Sequence, residues 1–410
     1  MRQKRIVEEI LRLIAQSSVT NDAYGIHMCQ KIVCKQAKNL GFDTEIVANN
    51  RVLVISPKGL VKPAKLGIVV HLDMVPFESS NWTHNPLGEV SSDRIYGRGI
   101  IDDKGPIVLA MHAFDELSCE IENSWQIIVG SDEEGDWNDM KEFLHKNPVL
   151  PEFLVTIDGD GVQNGCRGYM DIRLKFHRET GTHLVKKLYV PGGANNTIPA
   201  KCIMLLSDAT PVIGVGKEAH SSIPSMGKSA ITDLATKVEG AVYEELKSFF
   251  DLLLRLNESN DAYFIRIPDA EVSVTNVYMD EDGPILNLNI RMEKDIECNI
   301  LNRALMDLML NYNCEAEIVS FIRPSTVDEN SSQIKAMRKA YEIVMGKKAT
   351  VSIARGVGYN AALPNCAIFG PRFEVVHDEE DYCHQSDENR RLEDLFKFYE
   401  MLKIFIKEVL

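Results

Sequence analysis

The sequence contains no basic excess, no long apolar run and no paired-cysteine motif, and each absence excludes a class of protein. Its 410 residues include 45 Lys+Arg and 60 Asp+Glu, a formal net charge of −15, which argues against a protein that holds nucleic acid through the phosphates. Lys, Glu or Asp breaks every apolar stretch before the roughly 18 to 20 residues that a membrane-spanning helix needs. The nine cysteines are odd in number and scattered, which is typical of buried thiols in a reducing compartment.

The first residues do not resemble a signal peptide. Glu8, Glu9 and Arg12 interrupt what would have to be its apolar region. The apolar positions recur instead at the spacing of an amphipathic helix, namely Ile6, Val7, Ile10, Leu11 and Ile14. We therefore expect a cytoplasmic protein with no membrane and no nucleic-acid partner.

Short apolar runs alternate with helical patterns over the first 160 residues, which is typical of an α/β domain with a largely parallel sheet. Three of these runs lead into side chains that can bind a metal. Residues 66–70 lead into His71, residues 125–130 into Glu133 and Glu134, and residues 153–157 into Asp158. Because ligands of open α/β sheets bind outside the carboxyl ends of the strands, we expect these side chains to share one crevice.

The pattern changes near residue 170 to alternating, turn-rich segments around a helical stretch at about 228–256. Helical signals return after about residue 325 and end in a long amphipathic helix. We therefore expect an α/β catalytic domain with a mostly parallel central sheet, formed by residues 1–169 and 321–410. Residues 170–320 are expected to form an inserted α+β lid domain.

Each candidate residue has an ordinary explanation when it is taken alone. A histidine beside a carboxylate is commonly a local hydrogen bond, acids before a helix are commonly caps, and paired acids in a turn are commonly solvated. These explanations apply in turn to His71 with Asp73, to Asp102, Asp103 and Asp387, and to Glu133 with Glu134. The ordered set of His, Asp, Glu-Glu, Asp and His on loops at one sheet edge favours a metal centre instead.

The motifs resemble those of the dinuclear zinc metallopeptidases that include carboxypeptidase G, acetylornithine deacetylase, succinyl-diaminopimelate desuccinylase and aminoacylase. The resemblance rests on residues 71–76 (His-Leu-Asp-Met-Val-Pro), 96–105 (Tyr-Gly-Arg-Gly-Ile-Ile-Asp-Asp-Lys-Gly), 132–135 (Asp-Glu-Glu-Gly), 216–227 and 384–388 (His-Gln-Ser-Asp-Glu). It therefore spans nearly the whole chain. Residues 192–199, 288–291 and 362–370 look most like the dipeptidase V branch.

The resemblance implies two metal ions that share Asp102. His71 and Asp158 would complete one ion, and Glu134 and His384 the other. Imidazole and carboxylate ligands suit zinc, although the same set accepts manganese or cobalt. In the family the residue at Glu133 is the general base, the residue at Asp73 orients the histidine at His71, and the Asp102–Asp103 peptide bond is cis.

The resemblance also implies a mechanism, in which a water bridging the two ions loses its proton to Glu133 and attacks the peptide carbonyl. Glu133 then passes the proton to the departing amine. His220 would stabilise the oxyanion. Arg291 would bind the terminal carboxylate of the substrate, with Asn196, Gly358 and Tyr359 beside it.

These residues predict a dipeptidase that hydrolyses short peptides with a free carboxylate. An N-acyl-amino-acid deacylase is the alternative, since a dipeptidase must also bind an ammonium group, for which Asp160 is a candidate. The family hydroxyl expected at Gly358 is missing. A non-catalytic homologue would have lost a ligand or the base, whereas all five ligand positions and Glu133 are intact.

Two further expectations concern assembly and the remaining histidines. The segment at 192–199 accompanies the monomeric type, so a monomer is favoured, while a homodimer through the lid domain stays open. His84, His112 and His377 have no partners in the motif set and are expected to be exposed or locally hydrogen-bonded.

Overall fold

The structure, a computed structural model, describes residues 1–146, 148–192, 196–258, 270–373 and 383–410. The chain divides into two compact units. Unit 1 comprises Met1–Gly165 together with Ser325–Leu410, and unit 2 comprises Cys166–Pro324. Each unit is described below by itself.

The α-helices of the described residues are numbered in chain order. They are α1 Arg2–Ile14, α2 Ala23–Asn39, α3 Lys104–Leu117, α4 Asn138–His145, α5 Ala230–Ala235, α6 Gly240–Glu245, α7 Lys247–Glu258, α8 Cys298–Tyr312, α9 Ser332–Met345, α10 Tyr359–Ala362 and α11 Leu392–Val409. Short 3-10 helices lie at Ser79–Asn81 and Pro224–Met226.

The strands are numbered in the same way. They are β1 Asp43–Val47, β2 Val52–Ser56, β3 Leu66–His71, β4 Glu89–Ser91, β5 Arg94–Tyr96, β6 Trp125–Gly130, β7 Phe153–Thr156, β8 Val162–Cys166, β9 Gly168–Phe176, β10 Val185–Tyr189, β11 Thr197–Ile198, β12 Lys201–Leu206, β13 Pro211–Val215, β14 Ala219–His220, β15 Ala270–Met279, β16 Pro284–Met292, β17 Cys314–Ile322, β18 Ser325–Thr326, β19 Val351–Ala354, β20 Cys366–Phe369 and β21 Asn389–Arg391.

The main sheet of unit 1 has the order β1-β2-β6-β3-β7-β20-β8-β18, with β19 paired to β8. Its centre is parallel, because β3 pairs in parallel with β6 and β7, and β7 pairs in parallel with β20. The pairs β1–β2, β2–β6 and β20–β8 are antiparallel. The α/β prediction is confirmed, and the sheet as a whole is mixed. Every residue of β3 is buried, as expected for a strand covered on both faces.

Helices at both ends of the chain cover this sheet. The helix α3 packs against α1 and α11, and α11 also packs against α9. The predicted amphipathic helices are present, since Ile6, Ile10 and Ile14 of α1 and Leu402 and Ile406 of α11 are buried in one hydrophobic core. The N-terminal and C-terminal parts of the sequence therefore fold together into unit 1.

Unit 2 has its own core and an antiparallel sheet, which within the described residues has seven strands in the order β13-β12-β10-β15-β16-β9-β17. The helix α5 packs against β12 and β13, and α7 packs against α5 and α8. The unit extends beyond the expected bounds of 170–320. Gly168 of β9 pairs with Met292, and Ile322 of β17 pairs with Tyr169, so both ends of the sheet lie outside those bounds.

All nine cysteines are free thiols. Five of them are buried, whereas Cys119 and Cys298 are exposed, which corrects the expectation that the thiols are buried throughout. Among the described residues, no helix combines the length and the apolar character that crossing a membrane requires.

Candidate metal centre

Three neighbouring parallel strands bring the predicted ligands to one edge of the unit 1 sheet. The strand β3 ends at His71, β6 leads into the turn of Glu133 and Glu134, and β7 leads towards Asp158. Because β3 lies between β6 and β7 in the sheet, their carboxyl ends are adjacent. The structure thus brings together the side chains that the sequence pattern grouped.

Asp102 lies between two histidines. One of its oxygens, Oδ1, is 2.7 Å from His71 Nε2, and the other, Oδ2, is 2.9 Å from His384 Nε2. Asp158 Oδ2 is 3.8 Å from the same nitrogen of His71, and Glu134 Oε1 is 2.7 Å from that of His384. The two oxygens of one carboxylate thus face the two predicted halves of the site. The Asp102–Asp103 peptide bond is cis, as the resemblance implied.

The donor set fits divalent cations. His71, Asp102 and Asp158 offer ligand atoms within 4.8 Å of one another, and so do Asp102, Cys383 and His384. Cys383 was not predicted, and its Sγ is 3.2 Å from Asp102 Oδ2. The site brings imidazole nitrogens and carboxylate oxygens together, which are the ligand types of zinc and related metals.

The pKa values of the clustered carboxyl groups also favour a bound cation. Burial, with the nearby charge of Asp102, raises the pKa of Asp158 to about 7. Burial also raises the pKa of Glu133 well above its usual range, and the charges of Asp158 and Glu134 add to this. For Asp102, hydrogen bonds from His384 and His71 outweigh burial and hold the pKa well below its usual range. Carboxylates packed this closely favour a bound cation.

Asp73 connects His71 to the turn that carries Glu133. The Nδ1 atom of His71 is 2.9 Å from the backbone carbonyl of Asp73 and 3.4 Å from its Oδ1. The carboxylate accepts the backbone N–H of Glu133 at 3.0 Å, that of Glu134 at 3.1 Å, and the hydroxyl of Thr20 at 3.0 Å. The predicted contact with His71 is therefore made mainly by the carbonyl, while the carboxylate holds the Glu133–Glu134 turn.

The turn that carries His384 is held by the two acids that follow it. Asp387 Oδ1 accepts the backbone N–H groups of Thr83 and His84, both at 2.9 Å. Glu388 Oε2 accepts from Arg98 at 2.7 Å, and both side chains are buried. The alternative that Asp387 caps the last helix is wrong, because the N-cap position of α11 is residue 391.

The two predicted substrate contacts in the loop before α10 have different surroundings. A Cβ placed on Gly358 would lie 2.6 Å from Glu133 Oε1, so this residue borders the proposed base. Tyr359, in contrast, is 2% exposed, and its hydroxyl donates to Asp139 Oδ2 at 2.5 Å and accepts the backbone N–H of Asp132 at 3.1 Å. The Tyr359 hydroxyl is thus buried and hydrogen-bonded, while the prediction that the Gly358–Tyr359 loop lies beside the substrate stays a prediction.

The predicted residues of unit 2 lie around Ser221. The backbone N–H of Ser221 donates to the carbonyl of Asn196 at 2.9 Å, and its hydroxyl accepts from Arg291 Nη2 at 3.4 Å. His220 precedes it, and its Nδ1 accepts the backbone N–H of Ser222 at 3.1 Å. That bond leaves Nε2 as the protonated nitrogen of a neutral His220. Ser221 itself was not predicted, although it lies within the Ala-His-Ser-Ser motif.

Arg291 is buried with few anionic neighbours. Its guanidinium stacks on the Tyr169 ring at 4.9 Å, and its Nε donates to Asn289 Oδ1 at 2.9 Å. Burial lowers the pKa of Arg291. Among the described residues, no carboxylate forms an ion pair with this guanidinium. A buried cation in such surroundings can accept an anionic ligand.

Three of the remaining candidates have hydrogen-bonding partners within unit 1. Asp160, considered for the substrate ammonium, accepts from Arg372 Nε at 2.8 Å. His84 bonds the nearby Glu89, as expected, whereas His112 is buried and lies 2.9 Å from Glu9, a residue 103 positions away. His377 lies outside the described residues.

A carboxylate shared by two histidines, with further acids at the carboxyl ends of parallel strands, has the donor types of a metal-binding site. The comparison with known sequences identifies the protein family. The chain belongs to peptidase family M20/M25/M40, whose sequence model matches residues 67–408. The resemblance drawn from the motifs is confirmed, and the protein is a metal-dependent peptidase.

Individual relatives agree with this assignment. The Beta-Ala-Xaa dipeptidase of Lactobacillus delbrueckii subsp. lactis is 24% identical over 407 residues, which cover 86% of this chain and 84% of that protein. A tripeptidase from Staphylococcus aureus superposes with a TM-score of 0.64 at 16% identity, covering 99% of this chain and 98% of the other. Human carnosine dipeptidase 1 superposes with a TM-score of 0.62 at 14% identity, covering 99% and 96%. At these identities the two structures establish the fold alone.

Proposed function

We propose that the protein is a dinuclear zinc dipeptidase that hydrolyses the peptide bond of dipeptides with a free C-terminal carboxylate. The observation that carries the proposal is Asp102, whose two oxygens face His71 and His384 at 2.7 and 2.9 Å. A carboxylate that faces two separate donor groups is suited to bridging two ions. The Lactobacillus relative, named as a dipeptidase, supports the choice of substrate class.

His71, Asp102 and Asp158 would hold one ion, and Asp102, Glu134 and His384 the other. Zinc suits this mixture of imidazole and carboxylate, and manganese or cobalt could replace it. When bound, two such ions polarise the scissile carbonyl and lower the pKa of water. Asp73 supports the site by orienting His71 through the Nδ1 contact at 2.9 Å, which leaves Nε2 available as a ligand.

Glu133 would perform the proton transfers as general base and then general acid. Its carboxylate takes a proton from the attacking water and returns it to the nitrogen of the departing amine. Asp73 holds the backbone N–H of Glu133 at 3.0 Å, so the carboxylate is carried by a fixed turn. Burial and neighbouring acids raise the pKa of Glu133, which makes its carboxylate a stronger base towards the water and lets it keep the proton until the second step.

Two residues of unit 2 would act on the substrate itself. His220 would donate from Nε2 to the developing oxyanion, because its Nδ1 already accepts the Ser222 N–H. Arg291 would bind the terminal carboxylate, since it is a buried guanidinium without an ion-pair partner among the described residues. Asn196 and the loop of Gly358 and Tyr359 would lie beside the substrate.

We also propose that the protein works in the cytoplasm as a monomer, with a small peptide as its partner. The free thiols support a reducing compartment. A homodimer through the inserted domain is the alternative. Sedimentation analysis at several concentrations distinguishes the two.

A substrate panel on the zinc-loaded protein tests the proposal. It contains unmodified α-dipeptides, β-alanyl dipeptides, the same dipeptides with an amidated C-terminus, and N-acetyl and N-succinyl amino acids. We expect unmodified dipeptides to be hydrolysed fastest and the amidated forms to lose most of the rate. Faster hydrolysis of the acylated amino acids would identify a deacylase instead.

Replacement of the base tests the mechanism. Glu133→Ala should abolish hydrolysis while the bound zinc, measured by elemental analysis, stays at the wild-type level. The metal ligands are untouched in this variant, so a loss of rate reports on proton transfer. Hydrolysis at the wild-type rate would rule out Glu133 as the base.

A further inference from the structure

Residues 131–134 form the turn that carries Glu133. Side chains accept backbone N–H groups in both halves of this turn. In the second half, Asp73 accepts the backbone N–H groups of Glu133 and Glu134. This contact lies within the site already described. The first half is held by Asp139, which no motif singled out, and by Tyr359, whose hydroxyl has no role in the proposed mechanism.

Tyr359 and Asp139 hold the first half of the turn. Asp139 Oδ2 accepts the backbone N–H of Ser131 at 2.6 Å, and the Tyr359 hydroxyl accepts that of Asp132 at 3.1 Å. The same hydroxyl donates to Asp139 Oδ2 at 2.5 Å, so the two side chains form one hydrogen-bonded unit. Each of the four backbone N–H groups from 131 to 134 thus donates to a side chain.

Both members of this pair are buried. Tyr359 is 2% exposed and Asp139 is fully buried. Asp139 lies in the first turn of α4, where its other oxygen accepts the backbone N–H of Met140 at 2.6 Å. A buried hydroxyl with a donor and an acceptor role both fulfilled leaves little freedom to the groups it joins.

The pair also reaches the proposed base from the other side. Tyr359 directly follows Gly358, whose Cβ position is 2.6 Å from Glu133 Oε1. The ring of Tyr359 lies edge-on to His71, with 6.4 Å between the ring centroids. Tyr359 therefore accepts the backbone N–H of Asp132, directly before Glu133, and packs against His71, a proposed metal ligand. It also belongs to the loop that borders the Glu133 carboxylate.

We propose that Tyr359 and Asp139 are positioning residues for Glu133, acting together through the hydrogen bond between the hydroxyl and the carboxylate. This inference rests on the proposed function, because it takes Glu133 as the base. A displacement of a reacting group by about 1 Å can lower a rate by about a hundredfold. Loss of the Tyr359 hydroxyl should therefore lower kcat more than it changes KM.

The test compares Tyr359→Phe with a matched control, Tyr399→Phe. Tyr399 is also buried in unit 1, and its hydroxyl contacts Glu116 Oε2 at 2.7 Å and the His112 carbonyl at 3.1 Å. We expect Tyr359→Phe to lower kcat by about tenfold to a hundredfold, with KM within about twofold and wild-type zinc content. Tyr399→Phe should lower thermal stability but keep the wild-type kcat.

Two further variants ask whether the effect passes through Glu133 and whether the pair is one unit. Glu133→Asp sets the carboxylate back by one methylene, and in that background Tyr359→Phe should cost much less than it does alone. Asp139→Asn keeps the shape of the pair, and combining it with Tyr359→Phe should lower kcat little further than either change. Asp139→Asn also serves as the test if Tyr359→Phe does not fold.

The outcomes separate this inference from the proposed function. If the wild-type protein with zinc hydrolyses no dipeptide, the proposed function fails and this inference fails with it. If the wild type is active and Tyr359→Phe keeps its kcat, or loses no more than Tyr399→Phe, the positioning role alone is overturned. Fully additive losses in the Glu133→Asp background would also overturn it.

Discussion

Gly358 borders the proposed base so closely that a single methyl group should change the rate. A Cβ at this position would lie 2.6 Å from Glu133 Oε1, while ordinary contacts begin at 3.4 Å. In Gly358→Ala the carboxylate oxygen must therefore retreat by about 0.8 Å. From the usual cost of misplacing a reacting group, we expect kcat to fall by about tenfold to a hundredfold.

The same change should leave the fold intact. Gly358 has φ −147° and ψ −162°, an extended conformation open to alanine. Replacing glycine where alanine fits without strain stabilises a protein by about 0.4–1 kcal/mol, because the unfolded chain loses freedom. The atom that must move is the end of a flexible side chain, so we expect an unchanged or slightly higher thermal midpoint and wild-type zinc content.

Gly356→Ala is the matched control, since no atom lies within 4 Å of its Cβ position. Both variants change the same loop by one methyl group, and only one of them meets Glu133. Steady-state hydrolysis of a dipeptide gives kcat and KM for each. Equal kcat values for Gly358→Ala, Gly356→Ala and the wild type would refute the reasoning, because the carboxylate would then tolerate the displacement.

Three other predictions concern the metal centre and unit 2. Asp73→Asn should lower zinc affinity by about 10- to 100-fold in a chelator competition, because the carboxylate that accepts the N–H groups of the Glu133–Glu134 turn and lies 3.4 Å from His71 Nδ1 is replaced by an amide. An unchanged affinity would show that the carbonyl contact suffices. Zinc at about a hundredfold excess over its Kd should stabilise the wild type by about 2.7 kcal/mol, and Asp102→Ala should remove that rise in the thermal midpoint. An equal rise in both proteins would exclude Asp102 as a ligand. For Asp233, burial favours the neutral form, but Lys237, the Val215 N–H and Lys228 lower the pKa to about 2. Its stabilising contribution is therefore present above about pH 4 and is lost as the pH falls towards 2. Asp233→Asn should show a shallower fall of the urea midpoint over that window, and an identical fall would contradict this.

The grouping of His71, Glu134 and Asp158 could be predicted from the sequence because each of them ends or follows a central strand. Their role as metal ligands stays a prediction. His71 ends the fully buried strand β3 and Asp158 follows the fully buried strand β7, and the carboxyl ends of neighbouring parallel strands lie at one edge of a sheet. The family motifs extended this to Asp102 and to His384, which lies far along the chain. The spacing of apolar residues was also sufficient to predict the helices α1 and α11, because each of them buries one face.

The supporting contacts could not be predicted, because they join distant parts of the chain through single hydrogen bonds. Tyr359 and Asp139 are separated by 220 positions, and no local pattern marks their contact. The family resemblance places the Gly358–Tyr359 loop beside the substrate, but it gives no sign that the Tyr359 hydroxyl is buried against Asp139. Cys383 likewise shows no spacing that would have suggested its contact with Asp102.

The strand β20 has a consequence for how the chain is made. It comprises Cys366–Phe369 and lies between β7 and β8, both of which leave the ribosome some 200 residues earlier. Until it emerges, the early strands of unit 1 present an open gap, and unpaired strand edges promote aggregation. Unit 2 is contiguous from Cys166 to Pro324, so its sheet can form before the sheet of unit 1 is complete. The sheet of unit 1 is thus completed only after all of unit 2 has been synthesised, and the proposed ligand His384 follows β20 in the chain.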